Sequence, residues 1–338
     1  MPPPPSSFPA RLLAIGLNPA WQKTLFFDHL EFGEVNRAAR VDAQASGKGI
    51  NFIHAVRQAG GAAVVLQVAG GVTGDWLVAD LDRRGLAHAT VAVAGATRVC
   101  NTLLCHATGQ MTELIEPSAE LTPAEIAGLE ARLAARLPEV AGLALCGTFP
   151  PGVPPAFYAG AARAARARGL PVLLDGVRGV LPTLEAGVDL LKINASELAG
   201  LAETTADAPP AAAAVVLKRF PKLDRLAVTA GPRTAFLFDR RHAWALRLPP
   251  LPAAVVNPIG AGDTTGGVLL AQIVNRRQLF ADAAAPATDA TDSAWLAWAF
   301  RDALACASAS CLTAAPAVFD LATARALAAA TVVTRQPL

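Results

Sequence analysis

The residues best suited to chemistry are concentrated in one glycine-rich turn late in the chain, Asn257 to Gly267. The turn carries a single carboxylate, Asp263, and leads directly into an apolar segment, Val268 to Val274. Pro258 disfavours helix before the turn, and the apolar periodicity after it predicts that a helix begins near Asp263. The free N–H groups and the dipole of a helix N-terminus can hold a phosphate, while a carboxylate beside them can take a proton from an attacking hydroxyl. The turn is therefore typical of phosphoryl transfer.

A purely structural interpretation of this turn stays open on its sequence alone. Gly260-Ala261-Gly262-Asp263 could be a simple turn whose aspartate caps a helix. Its glycines do not follow the dinucleotide-binding spacing G-x-G-x-x-G, which argues against a dehydrogenase. The chain also lacks the phosphate-binding loop G-x-x-x-x-G-K-[S/T]. The function must be decided by the rest of the sequence.

The elements that must position the turn form an alternation of strands and helices. Apolar runs of strand length alternate with alanine-rich segments of helical period. The predicted strands are Leu12–Leu17, Ala63–Val68, Leu143–Cys146, Val172–Asp175, Leu190–Ile193 and Leu226–Thr229, and the predicted helices are Gly49–Ala59, Asp75–Arg84 and Ala156–Arg168. This alternation predicts a mostly parallel sheet with helices on both faces, and ligands beyond the carboxyl ends of its strands.

Two segments, at about residues 21–45 and 91–117, break the alternation. Within the second, Arg98–Cys105 and Gln110–Ile115 have the pattern of a hairpin that turns at Thr108-Gly109. The two segments predict a small separate β-sheet. Such a sheet can act as a lid that excludes water from a phosphate-transfer site.

Composition indicates a globular protein without a membrane or nucleic-acid partner. Of 338 residues, 53% are hydrophobic and 17% charged, and the net charge is only +2. No apolar run reaches the length of about 18 residues that could span a membrane. Five cysteines without a usual zinc spacing fit free thiols in a reducing compartment. Proline-rich residues 1–10 predict a disordered tail before a single domain over 11–335, and the absence of a signal-peptide pattern predicts a cytoplasmic location. Residues 281–293 predict a surface loop.

Six short motifs occur in order along most of the chain. They are Leu17 to Ala20, Ser46 to Asn51, Thr97-Arg98, Gly147 to Gly152, Lys192 to Asn194 with Glu197, and Gly260 to Asp263. Each is weak alone, but all six in this order are hard to obtain by chance. Together they resemble the ribokinase-like (PfkB) carbohydrate kinases, specifically the phosphosugar branch that includes 1-phosphofructokinase and tagatose-6-phosphate kinase. The resemblance implies an α/β fold, a three-layer sandwich with a mostly parallel central sheet and a small β-sheet lid.

The resemblance assigns catalytic roles to the glycine-rich turn. Asp263 would be the general base that deprotonates the acceptor hydroxyl. The N–H groups of Gly260, Ala261 and Gly262 would form the anion hole for charge on the transferred phosphoryl group.

The resemblance also implies a site for ATP and Mg²⁺. Asn194 and Glu197 would hold the ion on the nucleotide phosphates through water, and Lys192 would add a positive charge. A helix-end carboxylate is the alternative interpretation of Glu197. Thr229 and Gly231 resemble the family's nucleotide-binding turn, although Thr234 stands where a second glycine is usual.

On the sugar side, the resemblance implies residues that read a phosphate already on the substrate. Lys48 follows Gly47 in a glycine-flanked loop, and with Arg98 it would bind that phosphate. Asn18 and Asn51 would contact the sugar, although a helix cap is the alternative for Asn51.

Position 22 departs from the family's pattern, which has an aspartate that accepts hydrogen bonds from sugar hydroxyls. This chain has Gln22, whose amide carries no charge and can donate as well as accept. The resemblance implies an ATP-dependent, Mg²⁺-requiring kinase that most simply converts fructose 1-phosphate to fructose 1,6-bisphosphate. Tagatose 6-phosphate and fructose 6-phosphate are the alternative acceptors. A non-catalytic sugar-phosphate sensor is the alternative of another class, and a homodimer through the lid is a candidate assembly.

Overall fold

The computed structural model describes residues 8–204, 208–280 and 292–338. The strands are β1 (Phe8–Ile15), β2 (Ala20–Phe27), β3 (Arg40–Ser46), β4 (Gly61–Ala69), β5 (His88–Ala92), β6 (Val99–Cys105), β7 (Gln110–Ile115), β8 (Gly142–Cys146), β9 (Val172–Asp175), β10 (Val188–Asn194), β11 (Leu223–Thr229), β12 (Ala235–Phe238), β13 (His242–Arg247) and β14 (Val332–Pro337). The helices are α1 (Lys48–Gln58), α2 (Gly71–Arg84), α3 (Pro123–Arg136), α4 (Ala156–Arg166), α5 (Leu181–Ala186), α6 (Ala195–Ala202), α7 (Pro209–Arg219), α8 (Ala261–Asn275), α9 (Ser293–Ser310) and α10 (Leu321–Ala330). Residues 1–7 of the predicted tail and 281–291 of the predicted loop lie outside the described residues, whereas residues 8–10 belong to β1.

Within these ranges the strands form two sheets. The larger has the order β14-β13-β12-β11-β10-β9-β8-β1-β4-β5. Its strands from β11 to β5 run parallel, and β12 to β14 extend it as antiparallel neighbours. Helices cover both faces of this sheet. Helices α1, α8, α9 and α10 bury Phe52, Val268 and Trp295 on one face, and helices α3 to α7 bury Tyr158 and Leu184 on the other. The predicted three-layer α/β architecture is confirmed.

The smaller sheet has the order β3-β2-β6-β7 and lies where the sequence breaks the alternation. Strands β6 and β7 pair as the predicted antiparallel hairpin, with Gly109 at its turn in the left-handed region (φ 65°). The sheet spans residues 20–46 and 99–115, so residues 91 and 92 of the expected lid lie in β5 of the larger sheet. Because β2 follows β1 and β3 precedes α1, the smaller sheet is attached beside the carboxyl end of β1.

One close backbone contact fixes α1 against the end of β1. A Cβ atom on Gly16 would lie 2.7 Å from the Cα atom of Gly49, and one on Gly49 would lie 2.9 Å from the Cα atom of Gly16. Neither glycine has a positive φ angle, so lack of space, rather than backbone conformation, excludes a side chain. The contact brings the loop that precedes α1 to the end of β1.

We expect Gly16→Ala to lower the free energy of unfolding by roughly 1–3 kcal/mol, because the new methyl group must displace backbone atoms. Gly200→Ala is the matched control, since no atom lies within 4 Å of its Cβ position in α6. There the better helix propensity of alanine should leave stability unchanged or raise it by up to about 1 kcal/mol. Urea unfolding of both variants measures the difference, and equal effects would mean that the contact is not tight.

Candidate active site

A cleft of about 340 Å³ lies between the larger sheet and the smaller one. It brings together eight of the predicted site residues: Asn18, Gln22, Gly47, Lys48, Asn51, Arg98, Glu197 and Asp263. The structure places Gly260, Ala261 and Gly262 at the start of α8, beside Asp263, whereas Thr229 and Gly231 do not line the cleft. Clefts of about 480 and 530 Å³ elsewhere on the surface contain none of the predicted residues.

Helix α8 begins at Ala261, two residues before the predicted start. Gly260 is its N-cap and takes a left-handed conformation (φ 79°) that favours glycine. The N–H of Ala261 donates to the carbonyl of Pro258 at 3.3 Å, so this predicted anion-hole group is already used. Within the described residues, the N–H groups of Gly260, Gly262 and Asp263 have no acceptor. Free N–H groups at a helix N-terminus can bind an anion.

Asp263 is buried at this helix start, with 7% of its surface exposed. The amide nitrogen of Asn51 donates to its Oδ2 at 2.8 Å, and the Oγ of Ser46 donates to the Oδ1 of Asn51 at 3.2 Å. Burial raises the pKa of Asp263, and the charge of Asp175 adds to the rise, while Lys48 and the Asn51 hydrogen bond oppose it. Asn51, which was predicted to contact the sugar, thus holds the carboxylate in place here.

Asp175, the last residue of β9, is a site residue that sequence reasoning missed. Its buried carboxylate accepts from the Nζ atoms of Lys48 at 2.7 Å and Lys192 at 3.1 Å. Although burial raises its pKa, Lys192 and Lys48 together hold the pKa of Asp175 below the usual value. The available signal was an aspartate that ends an apolar strand at the ligand edge of the sheet. The ammonium of Lys48, predicted to bind a sugar phosphate, is therefore already paired.

The nucleotide-side residues lie at the ends of β10 and β11. A Cβ atom on Gly262 would lie 2.8 Å from the Nζ of Lys192, so this ammonium lies directly beside the start of α8. Asn194 and Glu197 cap α6 reciprocally, each side chain accepting from the other's backbone N–H at 2.9 Å. Thr229 lies opposite Asn194 in the β10–β11 register.

Asn194 and Glu197, the capping pair, are also the residues predicted to hold the metal ion. The cap uses Oδ1 of Asn194 and Oε2 of Glu197, while Glu197 also lines the cleft. In the described ranges no three His, Cys, Asp or Glu side chains cluster as metal ligands. Mg²⁺ usually keeps several waters and takes few protein ligands, so this pair fits an ion held through water.

Asn18 links the turn after β1 to two other loops of the cleft wall. Its Nδ2 donates to the Oγ1 of Thr148 at 2.8 Å, and its Oδ1 accepts from the Oγ of Ser118 at 2.6 Å. Its carbonyl oxygen accepts from the Nη2 of Arg98 at 3.0 Å. Asn18 therefore links the loops that border the cleft and holds Arg98 at the edge of the cleft.

Gln22 faces the cleft from β2 and is 5% exposed. Its Nε2 donates to the Oγ1 of Thr102 at 2.8 Å and to the carbonyl of Lys23 at 3.2 Å. Since these bonds use the amide's donor capacity, its carbonyl oxygen is the group that remains to accept a hydrogen bond.

Comparison with known proteins identifies the kind of enzyme to which this cleft belongs. Residues 12–319 match the sequence profile described as pfkB family carbohydrate kinase. Phosphofructokinase-2 from Escherichia coli, solved in complex with substrates and products, is 23% identical with a TM-score of 0.80, over 94% of this chain and 98% of that chain. A Thermotoga maritima protein named as a possible 1-phosphofructokinase is 20% identical with a TM-score of 0.79, over 96% and 99% of the two chains. At these identities the likeness shows a shared fold, the ribokinase-like sandwich.

In the described part of the chain no helix is long and apolar enough to cross a membrane.

We expect Asp175→Asn to lower the free energy of unfolding by about 3–5 kcal/mol, because Lys192, only 4% exposed, loses its buried counter-ion. The control Asp82→Asn alters a contact with His88 in which the Asp82 side chain is 69% exposed, and should cost less than about 1 kcal/mol. The folded state lowers the pKa of Asp175. Its charged carboxylate therefore stabilises the fold fully above the pKa of the unfolded chain, about 3.9, and loses this effect as the pH falls through the pKa of the folded state. In urea unfolding, the difference in free energy of unfolding between the wild type and Asp175→Asn should therefore shrink in acid. A constant gap would contradict this assignment.

Proposed function

The chain belongs to the pfkB family of carbohydrate kinases, and we propose that it transfers a phosphoryl group from ATP to a hydroxyl of fructose 1-phosphate, giving fructose 1,6-bisphosphate. The observation that carries this proposal is the position of Asp263. Its buried carboxylate lies at a helix N-terminus with free N–H groups, in the same cleft as the guanidinium of Arg98. A base, an anion hole and a cation for a second phosphate are the parts that a phosphosugar kinase requires.

In the proposed reaction, Asp263 accepts the proton of the acceptor hydroxyl while the hydroxyl oxygen bonds to the terminal phosphorus of ATP. The bond from that phosphorus to the bridging oxygen breaks, and ADP leaves. Asn51 keeps the carboxylate oriented through its hydrogen bond. Charge that develops on the transferred group meets the N–H groups of Gly260 and Gly262 and the ammonium of Lys192. Asn194 and Glu197 would hold, through water, the Mg²⁺ that neutralises charge on the nucleotide phosphates, and Thr229 and Gly231 would border the nucleotide.

Fructose 6-phosphate and tagatose 6-phosphate remain the alternative acceptors because of Gln22. The available carbonyl oxygen of Gln22 can accept a hydrogen bond from a sugar hydroxyl, as an aspartate would, but without a charge. A phosphate-transfer screen of the purified protein with ATP and Mg²⁺ against free sugars and these three sugar phosphates tests the proposal. Transfer to free sugars alone, or to none of the panel, would contradict it.

We further propose that two copies of the chain associate through the smaller sheet. This sheet and its β2–β3 loop carry exposed apolar side chains, among them Phe32 (89% exposed), Val35, Val41, Leu114 and Ile115. A patch of this kind is typical of an interaction surface. A monomeric mass in sedimentation velocity at micromolar concentration would oppose this assembly.

Asp263→Asn should lower turnover by about 10²–10⁴-fold, because it removes the base while keeping its volume, and should leave hexose-phosphate binding largely intact. In the wild type, turnover should fall as the pH drops through the raised pKa of Asp263. Asn51→Leu removes a hydrogen bond that favours the charged carboxylate, so it should move this acid limb to higher pH. Steady-state rates over a pH series measure both effects. Turnover near the wild-type rate in Asp263→Asn would mean that another group is the base.

Gln22→Asp should change the ranking of the three ketohexose phosphates, favouring those whose hydroxyls donate to a carboxylate. The expected gain is on the order of 1–3 kcal/mol, since charged acceptors make the stronger hydrogen bonds. Specificity constants for both forms give the ranking, and Gln44→Asp, on the neighbouring strand β3 but not lining the cleft, is the control. If the ranking stays the same, Gln22 does not set acceptor choice.

A further inference from the structure

The loop after β9 carries an arginine, Arg178, that no motif of the sequence singles out. Arg178 lines the cleft together with Asp263, Lys48 and Arg98. It is exposed, and within the described residues its guanidinium has no hydrogen-bond or ion-pair partner. A free guanidinium in a cleft that takes up phosphates is available to bind a phosphate group.

The other basic side chains of the cleft are partly engaged by protein groups. Lys48 and Lys192 share the single carboxylate of Asp175. Among the residues that the structure describes, Arg98 has no carboxylate partner, and its Nη2 donates to the carbonyl oxygen of Asn18. A sugar phosphate carries about two negative charges near neutral pH, so Arg98 alone leaves it only partly neutralised. Arg178 supplies the missing charge.

Acidic groups of the cleft do not occupy Arg178. Glu113 on β7 and Glu197 on α6 also line the cleft, but within the described ranges neither forms an ion pair with Arg178. The charge of Arg178 therefore remains available to an incoming anion.

The loop holds Arg178 over the cleft from two buried ends. At one end, the carbonyl oxygen of Asp175 accepts from the N–H of Gly147 at 2.8 Å, and at the other Val180 is completely buried. Gly179 takes a left-handed φ of 68°, and a Cβ atom there would lie 3.1 Å from the ring of Phe149, so the loop packs closely on its neighbour. These anchors fix where the arginine side chain begins.

The sheet order places this loop within reach of the sugar side. Strand β9 is two strands from β1, which puts the two strand ends about 10 Å apart. The turn after β1 carries Asn18, to which Arg98 is bonded. Two arginine side chains that start on either side of such a gap can converge on one phosphate between them.

We propose that Arg178 binds, with Arg98, the phosphate that the acceptor sugar already carries. The inference rests on the proposed function and moves to Arg178 part of the role that the sequence predicted for Lys48. The two guanidinium groups would select a phosphosugar over a free sugar, because a guanidinium matches phosphate oxygens in a bidentate geometry that a hydroxyl cannot reproduce.

The test compares Arg178→Met, Arg178→Lys and the control Arg168→Met. Arg168 is also exposed, and its side chain has no hydrogen-bond or ion-pair partner among the described residues, but it lies outside the cleft. For Arg178→Met we expect the KM for fructose 1-phosphate to rise at least about tenfold, with the KM for ATP unchanged, since one charge-assisted contact is lost. Arg178→Lys should recover part of the affinity, and Arg168→Met should match the wild type.

Calorimetric binding of fructose 1-phosphate and fructose 6-phosphate without ATP separates this inference from the proposed function. If the wild type binds either sugar phosphate and Arg178→Met binds it at least tenfold more weakly, the inference stands even where no transfer occurs. A rise in the KM for ATP alone would overturn it, because the guanidinium would then contact the nucleotide. Equal affinity in wild type and Arg178→Met, or no binding by the wild type, would also overturn it.

Discussion

The cleft depends on one buried carboxylate, Asp175, held between two lysine ammoniums. Lys48 comes from the start of α1 and Lys192 from β10, so the ion pairs join the sugar-side loop to the nucleotide-side strand at the end of β9. With the carboxylate of Asp263, these groups sum to zero charge. Buried charges are tolerated only when they are paired in this way. The two lysines therefore balance the buried acids Asp175 and Asp263, and under our proposal Arg98 and Arg178 meet the substrate's phosphate.

Close packing of α1 against α8 positions the carboxylate of Asp263, the base in our proposal. A Cβ atom on Gly267 would lie 2.6 Å from the carbonyl oxygen of Phe52, so α8 approaches α1 more closely than any larger residue would allow. The approach places Asn51 of α1 within hydrogen-bond distance of Asp263 of α8. Gly267, the last glycine of the turn and already inside α8, is thus needed for the contact that orients the Asp263 carboxylate.

The sequence predicts what depends on local pattern and misses what depends on pairing across the fold. Strand and helix periodicity predicts the parallel core, and the glycine-rich turn predicts the location of Asp263. The antiparallel strands β12 to β14 were not predicted. For β14 the physical reason is its pairing with β13 far back in the sequence, since Val332 lies opposite Arg247. The partners of Asp175 lie 17 and 127 positions away, and only the fold brings them together. The family resemblance implied sugar contacts for Asn18 and Asn51, and the fold adds that their amides bond to Thr148 and Asp263.

The attachments of the smaller sheet separate the residue to which we assign acceptor choice, Gln22, from the residues to which we assign phosphoryl transfer. At one attachment Asn18 ties the β1–β2 turn to the body. At the other, the carboxylate of Asp80 accepts from the N–H of Ala45 at 2.9 Å, and Arg84 donates to the carbonyl of Ala45 at 3.1 Å. Gln22 lies between these attachments, on the smaller sheet, whereas Asp263 and the start of α8 belong to the body. Under our proposal, changes at position 22 can therefore alter the choice of sugar without disturbing Asp263, because separate parts of the fold hold the two residues.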